Sequence, residues 1–340
     1  MPLSRRTVLA ATAAAPVAAL LPASAAVAAP SVSPASRPGA PKGPDHGARV
    51  VAEERLDARL LDLTIDSPAL GRTAKVRLLL PTRWDREPHR DWPVLYLLHG
   101  AFGDHTTWTN HPLVRSLTED YGVLVVMPEA GAVGYYSNWW NQGAWGAPAW
   151  ETFHMHELRR LLEHGYRAGD ARAAAGLSMG GQGALTYAAR NPGVFRAAAS
   201  YSGVLHTAMV DGDLSGPDVI GKFVGFGGLD PSDLWGDVEA QRWLWAGFNP
   251  YDLAPLLRGV RLYVSWGSGA PGPLDPAGTK TDDIERLCGR MSELFAARAR
   301  RLRLDMAEVT GPGTHTWPYF ERGLADSFPM LMGTIGARRG

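Results

Sequence analysis

A serine held between two glycines, with carboxylates and a histidine further along the chain, can carry nucleophilic catalysis. Gly176-Leu177-Ser178-Met179-Gly180 has the form G-x-S-x-G. A serine hydroxyl is a weak nucleophile unless a neighbouring base takes its proton. His315, in Gly313-Thr314-His315-Thr316-Trp317, is the histidine placed to do so, because where Ser178 ends a strand the expected chain order is nucleophile, acid, histidine. The acid should follow the strand expected at residues 261–266. Asp275, Asp282, Asp283 and Glu285 all qualify, and spacing alone does not choose among them.

Attack on a carbonyl also needs donors for the oxyanion. Leu97-Leu98-His99-Gly100-Ala101-Phe102-Gly103 follows an expected strand, and its glycines permit an inward-turned backbone. The N–H groups of Ala101 and Met179 are the expected donors. The His99 side chain is expected to brace this loop rather than transfer protons, and His99, Phe102 and Trp317 stand as candidate substrate contacts. His154 and His156 are two apart on an expected helix and do not share a face. No metal site and no cofactor are expected.

The elements that must position these groups alternate between strand-like and helix-like. Strands are expected at residues 55–65, 74–80, 94–98, 123–127, 171–177, 195–201, 261–266 and 302–309. Helices are expected at 113–120, 150–166, 179–190 and 282–299. In the helix at 150–166, Phe153, Leu158, Leu161 and Leu162 recur at near-helical spacing. Such alternation implies an α/β-hydrolase fold, a mostly parallel central sheet flanked by helices, with antiparallel strands possible at the start. The Gly, Pro, Asp and Trp rich stretch at about 205–257 reads as an insertion over the active-site edge. A serine at the strand-to-helix turn at 178 sits in a strained backbone with its hydroxyl exposed. The helix beginning at Met179 directs free N–H groups toward it.

The chain has 340 residues, 45% of them apolar, and a formal net charge of zero. That supports one large domain, and nothing in the charge suggests a polyanionic partner such as nucleic acid. Residues 1–28 contain Ser4-Arg5-Arg6-Thr7-Val8-Leu9 before an Ala, Leu and Val run broken by Pro16 and Pro22. This is the pattern of a twin-arginine export signal rather than a lasting membrane span. Its removal with Arg5 and Arg6 leaves a net charge of −2. A Pro, Ser and Gly rich linker is expected over 29–49 and a catalytic domain over 50–336. Cys288 is the single cysteine, so no intrachain disulfide can form.

The sequence resembles the putative-esterase family that contains esterase D and the antigen 85 mycolyltransferases. The likeness runs from about Leu63 to Trp317. It is carried by Tyr96-Leu97-Leu98, Val125-Val126-Met127-Pro128, Tyr136-Ser137-Asn138-Trp139, Trp150-Glu151-Thr152-Phe153, Gly176-Leu177-Ser178-Met179 and Gly313-Thr314-His315-Thr316-Trp317. In antigen 85 relatives the acid is a Glu on the helix after the seventh strand. Matching that helix through Ile284-Glu285-Arg286-Leu287 to Phe295 implies Glu285 here. The resemblance also implies Ala101 and Met179 as oxyanion donors. The trehalose-binding mycolyltransferases have Asp where this chain has His99 and Arg where it has Phe102, and they carry disulfide-type cysteines near the Trp139 region that are missing here. The His-Gly pair is similar instead to esterase D relatives.

The resulting expectation is a secreted serine esterase that acts on a small-molecule, lipid or glycan ester through an acyl-enzyme on Ser178. Acyl transfer of the antigen 85 kind, mycolyl or diacylglycerol, is the related alternative. A surface binding protein on a hydrolase scaffold is the alternative from another class. Trp139, Trp140, Trp145, Trp150, Trp235, Trp243, Trp245 and Trp317 are candidates to line an acyl or glycan pocket, with packing under the insertion as their other role.

Overall fold

The computed structural model describes residues 47–339. The export segment at 1–28 and nearly all of the linker lie outside the described residues. Among the described residues eleven strands form, β1 Arg49–Arg55, β2 Leu60–Ser67, β3 Arg72–Leu79, β4 Trp92–Leu98, β5 Leu124–Pro128, β6 Ala168–Leu177, β7 Ala197–Tyr201, β8 Val210–Asp211, β9 Leu214–Ser215, β10 Arg261–Gly267 and β11 Met306–Gly311. Nine of them make one sheet in the order β1-β2-β3-β5-β4-β6-β7-β10-β11, and β8 and β9 form a separate hairpin. The β1, β2 and β3 pairings and the β3–β5 pairing are antiparallel. From β5 to β11 the sheet is parallel, as an α/β-hydrolase fold requires.

The central strands are apolar on both faces because helices cover both. Ala173, Ala174 and Ala175 of β6 are all fully buried, and they divide between two cores on opposite sides of the sheet. A continuous apolar run of this kind marks a buried parallel strand. The chain leaves β4 for β5 on one side and returns to β6 on the other. The carboxyl ends of β4 and β6 therefore flank a topological switch point, where ligand crevices form.

Three expectations change. Residues 55–65 are two strands, because the Asp57 carboxylate accepts the N–H groups of Arg59 and Leu60 at 2.7 and 2.9 Å and turns the chain. The last strand begins at Met306 rather than 302, since the helix Asp283–Arg301 runs on and is closed by the Leu304 N–H on the Ala299 carbonyl. A long C-terminal helix, Trp317–Ile335, was not foreseen; it carries Pro329 internally. Its Phe320, Leu324, Phe328, Leu331 and Ile335 are buried at helical spacing against the core on one side of the sheet.

The helix expected at 150–166 contains a π-helical stretch, Phe153–Leu158. Residues 205–257 hold the short helices Gly216–Phe226, Pro231–Trp235, Arg242–Gly247 and Pro250–Leu253. No helix of the described residues is long and apolar enough to cross a membrane.

Candidate active site

Ser178 stands between β6 and the helix Met179–Arg190, with φ 53° and ψ −121°. A non-glycine residue there costs on the order of 1–3 kcal/mol and persists only when its surroundings enforce it. The Ser178 N–H donates to the Tyr201 carbonyl at 2.9 Å, which ties the turn to β7. The flanking glycines are steric requirements. A Cβ at Gly176 would stand 2.3 Å from the Gly180 carbonyl oxygen, and one at Gly180 would stand 2.4 Å from that of Leu98.

The helix Asp283–Arg301 and the loop after β11 bring the acid and the histidine together. His315 Nδ1 donates to Glu285 Oε2 at 2.6 Å. That bond fixes the proton on Nδ1 and leaves the Nε2 lone pair free to accept one. Glu285 is fully buried, and its other oxygen, Oε1, accepts from the Ser202 hydroxyl at 2.7 Å and the Gly267 N–H at 2.5 Å. Buried polar oxygens need such donors, since an unpaired one carries a desolvation cost.

Among the described residues, none of the other acid candidates bonds the His315 ring. Asp275 accepts from the Thr314 hydroxyl, the Tyr319 hydroxyl and the Gly272 N–H. Asp283 is exposed and faces Arg286. Asp282 caps the helix that bears Glu285.

Ser178 and His315 line one cavity of about 510 Å³, together with Gly100, Ala101, Phe102 and Gly103 from the loop after β4. The volume suits a small-molecule site. Among the described residues the Ala101 and Met179 N–H groups donate to no other group, and the first N–H groups of a helix have no partner within it. Apolar walls come from Leu177, Phe223, Ile284 and Phe320, and a more polar side from Thr107, Asn110, His111 and Asp282. Phe102 and Phe223 meet edge to face with centroids 6.0 Å apart. Trp317 lines the same cavity and stacks on His111 at 3.8 Å.

His99 is corrected as a substrate contact. It is 1% exposed, its Nδ1 donates to the Gly100 carbonyl at 2.7 Å, and its Nε2 accepts the Ala130 N–H at 3.0 Å. Both ring nitrogens are occupied, and burial lowers its pKa to about 4. The ring is a neutral brace under the loop that carries Ala101, as its bracing role required.

The tryptophans are also redistributed. Trp139, Trp150, Trp235 and Trp245 are buried in the core. Trp140, Trp145 and Trp243 cluster with one another. Of the eight, Trp317 alone lines this cavity.

A family model described as Putative esterase matches residues 67–331. The chain belongs to that family. Several relatives are mycobacterial proteins with esterase or acyltransferase names. It is 38% identical over 244 residues to Esterase Rv1288 of Mycobacterium tuberculosis, a match that covers 67% of this chain and 50% of that protein. The chain thus spans about half the length of that relative. It is 31% identical over 287 residues to the diacylglycerol acyltransferase/mycolyltransferase Ag85B of Mycolicibacterium smegmatis, covering 81% of this chain and 85% of the other. Among solved structures, Mycobacterium tuberculosis MPT51 (FbpC1) matches with a TM-score of 0.65 and 25% identity over 82% of this chain and 100% of its own. The S-formylglutathione hydrolase of Agrobacterium tumefaciens, 17% identical with a TM-score of 0.59 over 85% of this chain and 100% of its own, shares the fold.

Within this Putative esterase chain, sequence reasoning missed Ser202, whose hydroxyl meets Glu285. Its only signal was its place at the carboxyl end of β7, in Tyr201-Ser202-Gly203. It also missed Phe223, which the helix Gly216–Phe226 brings to the cavity.

Proposed function

We propose that this chain is a serine esterase that hydrolyses carboxylic esters through an acyl-enzyme on Ser178. The observation that carries the reading is the 2.6 Å bond from His315 Nδ1 to the buried Glu285, made beside the cavity that Ser178 also lines. His315 Nε2 takes the proton as Ser178 Oγ attacks the ester carbonyl, and the Ala101 and Met179 N–H groups hold the oxyanion. Collapse of the tetrahedral intermediate breaks the bond to the alcohol, which leaves with the proton from His315. Water then attacks the acyl-enzyme, gives its proton to His315 and releases the carboxylic acid and free Ser178. Phe102, Phe223 and Trp317 meet the substrate in the cavity.

The catalytic domain spans residues 50–336, and the twin-arginine segment at 1–28 directs export, so that the enzyme works outside the cytoplasm. The Ser178→Ala variant tests the chemistry. Turnover of short acyl esters should fall at least about 10³-fold, as expected for a lost nucleophile, and unchanged turnover would defeat the assignment.

Acyl transfer is the second reading, favoured by the match to the Ag85B acyltransferase over 81% of this chain. In it a sugar or glycerol hydroxyl replaces water at the acyl-enzyme. Products formed with trehalose or diacylglycerol present separate the two, since free acid alone excludes transfer to those acceptors.

A further inference from the structure

Asp282 holds the acid and the histidine through their backbones at once. Its Oδ1 accepts the N–H groups of Ile284 and Glu285 at 2.9 and 3.0 Å, which caps the helix that carries Glu285. Its Oδ2 accepts the N–H of His315 at 2.9 Å, from a residue 33 positions further on. A cap needs only one side-chain oxygen. The second oxygen is therefore free to reach another element, and the residue it reaches is the one whose ring meets Glu285.

The surrounding backbone supports this arrangement. The Asp282 N–H donates to the Gly269 carbonyl at 2.8 Å, the Gly269 N–H to that of Gly313 at 3.0 Å, and the Gly313 N–H to that of Ala270 at 2.8 Å. The loop after β10 and the loop after β11 are thereby joined at Gly313, two residues before His315. Glu285 and His315 come from separate elements, in a frame that the β10–β11 pairing and the Gly267 N–H on Glu285 also hold. Asp282 is one bridge whose two oxygens refer each of them to the same atom group.

We propose that Asp282 is a positioning residue for the reaction, fixing the His315 backbone relative to the helix start so that the ring stays in line between Glu285 and Ser178. This rests on the serine mechanism proposed above. Misplacement of a catalytic group by an ångström can cost about 10²-fold in rate, so a tether of this kind acts on kcat rather than on substrate affinity.

Asp282→Asn separates the tether from the cap. Asparagine caps a helix about as well as aspartate, but with its oxygen on the helix its NH₂ group faces the His315 N–H, donor against donor. Asp282→Ser keeps a capping oxygen and is too short to reach His315 as well. Turnover of a short acyl ester, melting temperature and the downfield proton resonance of His315 Nδ1–H would be measured for both variants, with Ser178→Ala beside them.

Both variants should lose about ten-fold or more in kcat with KM within about two-fold and little change in melting temperature. The Nδ1–H resonance should broaden or shift. Parent-like kcat and resonance in both variants overturn the proposal, as does a kcat loss confined to a variant whose melting temperature has collapsed. Retained turnover in Ser178→Ala would instead defeat the serine mechanism itself, and this proposal with it.

Discussion

The Ser202 hydroxyl donates to Glu285 Oε1 at 2.7 Å, on the carboxylate oxygen opposite the one that meets His315. Ser202 has φ 49°, so the chain adopts a costly conformation where that hydroxyl reaches the acid. Removing the hydroxyl leaves the Gly267 N–H as the remaining donor to Oε1. Ser202→Ala should lower kcat/KM by about 10- to 100-fold, in line with about 1.5–3 kcal/mol for a hydrogen bond to a charged group. Steady-state kinetics on a short ester check this.

The turn at Ser178 leaves no room for a methyl group at Gly180, where a Cβ would meet the backbone carbonyls of Leu98 and His99 at 2.4 and 2.6 Å. Neither obstacle is a flexible side-chain end. Gly180→Ala should destabilise the fold by about 1–3 kcal/mol and lower activity by shifting the Met179 N–H. Urea unfolding and turnover measured on the same preparation test both parts.

Two buried histidines make stability fall in acid. Burial lowers the pKa of His99 to about 4 and that of His154 to about 3. Their unfolded value is about 6.5. Below that value the unfolded chain binds protons that the native state refuses, so stability present above pH 6.5 is lost as the pH falls toward the folded values. The loss approaches about 1.4 kcal/mol per pH unit for each ring. His154 accepts the Tyr187 hydroxyl at Nδ1 and donates from Nε2 to the Glu129 carbonyl. Glutamine can reproduce that pattern without titrating. His154→Gln should therefore show a shallower fall in unfolding free energy between pH 6.5 and 5, measured by urea denaturation.

Phe102 and Phe223 form an apolar wall from separate parts of the chain. Phe223→Ala should reduce kcat/KM for aryl or medium-chain acyl esters about ten-fold, the loss expected on removing a phenyl ring's contact area, and leave acetyl esters nearly unchanged. A panel of p-nitrophenyl esters shows whether the loss grows with acyl size.

Much of this arrangement could be read from residue order. Ser178 carried its own motif, and His315 followed from its place after the last strand. Both line the cavity. Glu285 could not be separated from Asp275, Asp282 and Asp283 by spacing, because the choice depends on which carboxylate the helix start turns inward. The family resemblance favoured Glu285, and the structure gives it the bond to His315.

His99 was placed partly among the substrate contacts because a His-Gly pair looks the same whether its ring faces a cavity or the core. The bond from the Ala130 N–H, 31 residues away, decides that and is invisible in sequence. The helix Trp317–Ile335 carries Pro329 in its interior, and tertiary burial of its apolar stripe outweighs that interruption.

The most direct test is to quench the enzyme during turnover of p-nitrophenyl butyrate and measure the mass of the peptide that contains Ser178. A butyryl adduct on Ser178 that accumulates within one turnover, and is absent in Ser178→Ala, is the expected result. Sustained turnover with no adduct at Ser178, or with the acyl group on another residue, would contradict it.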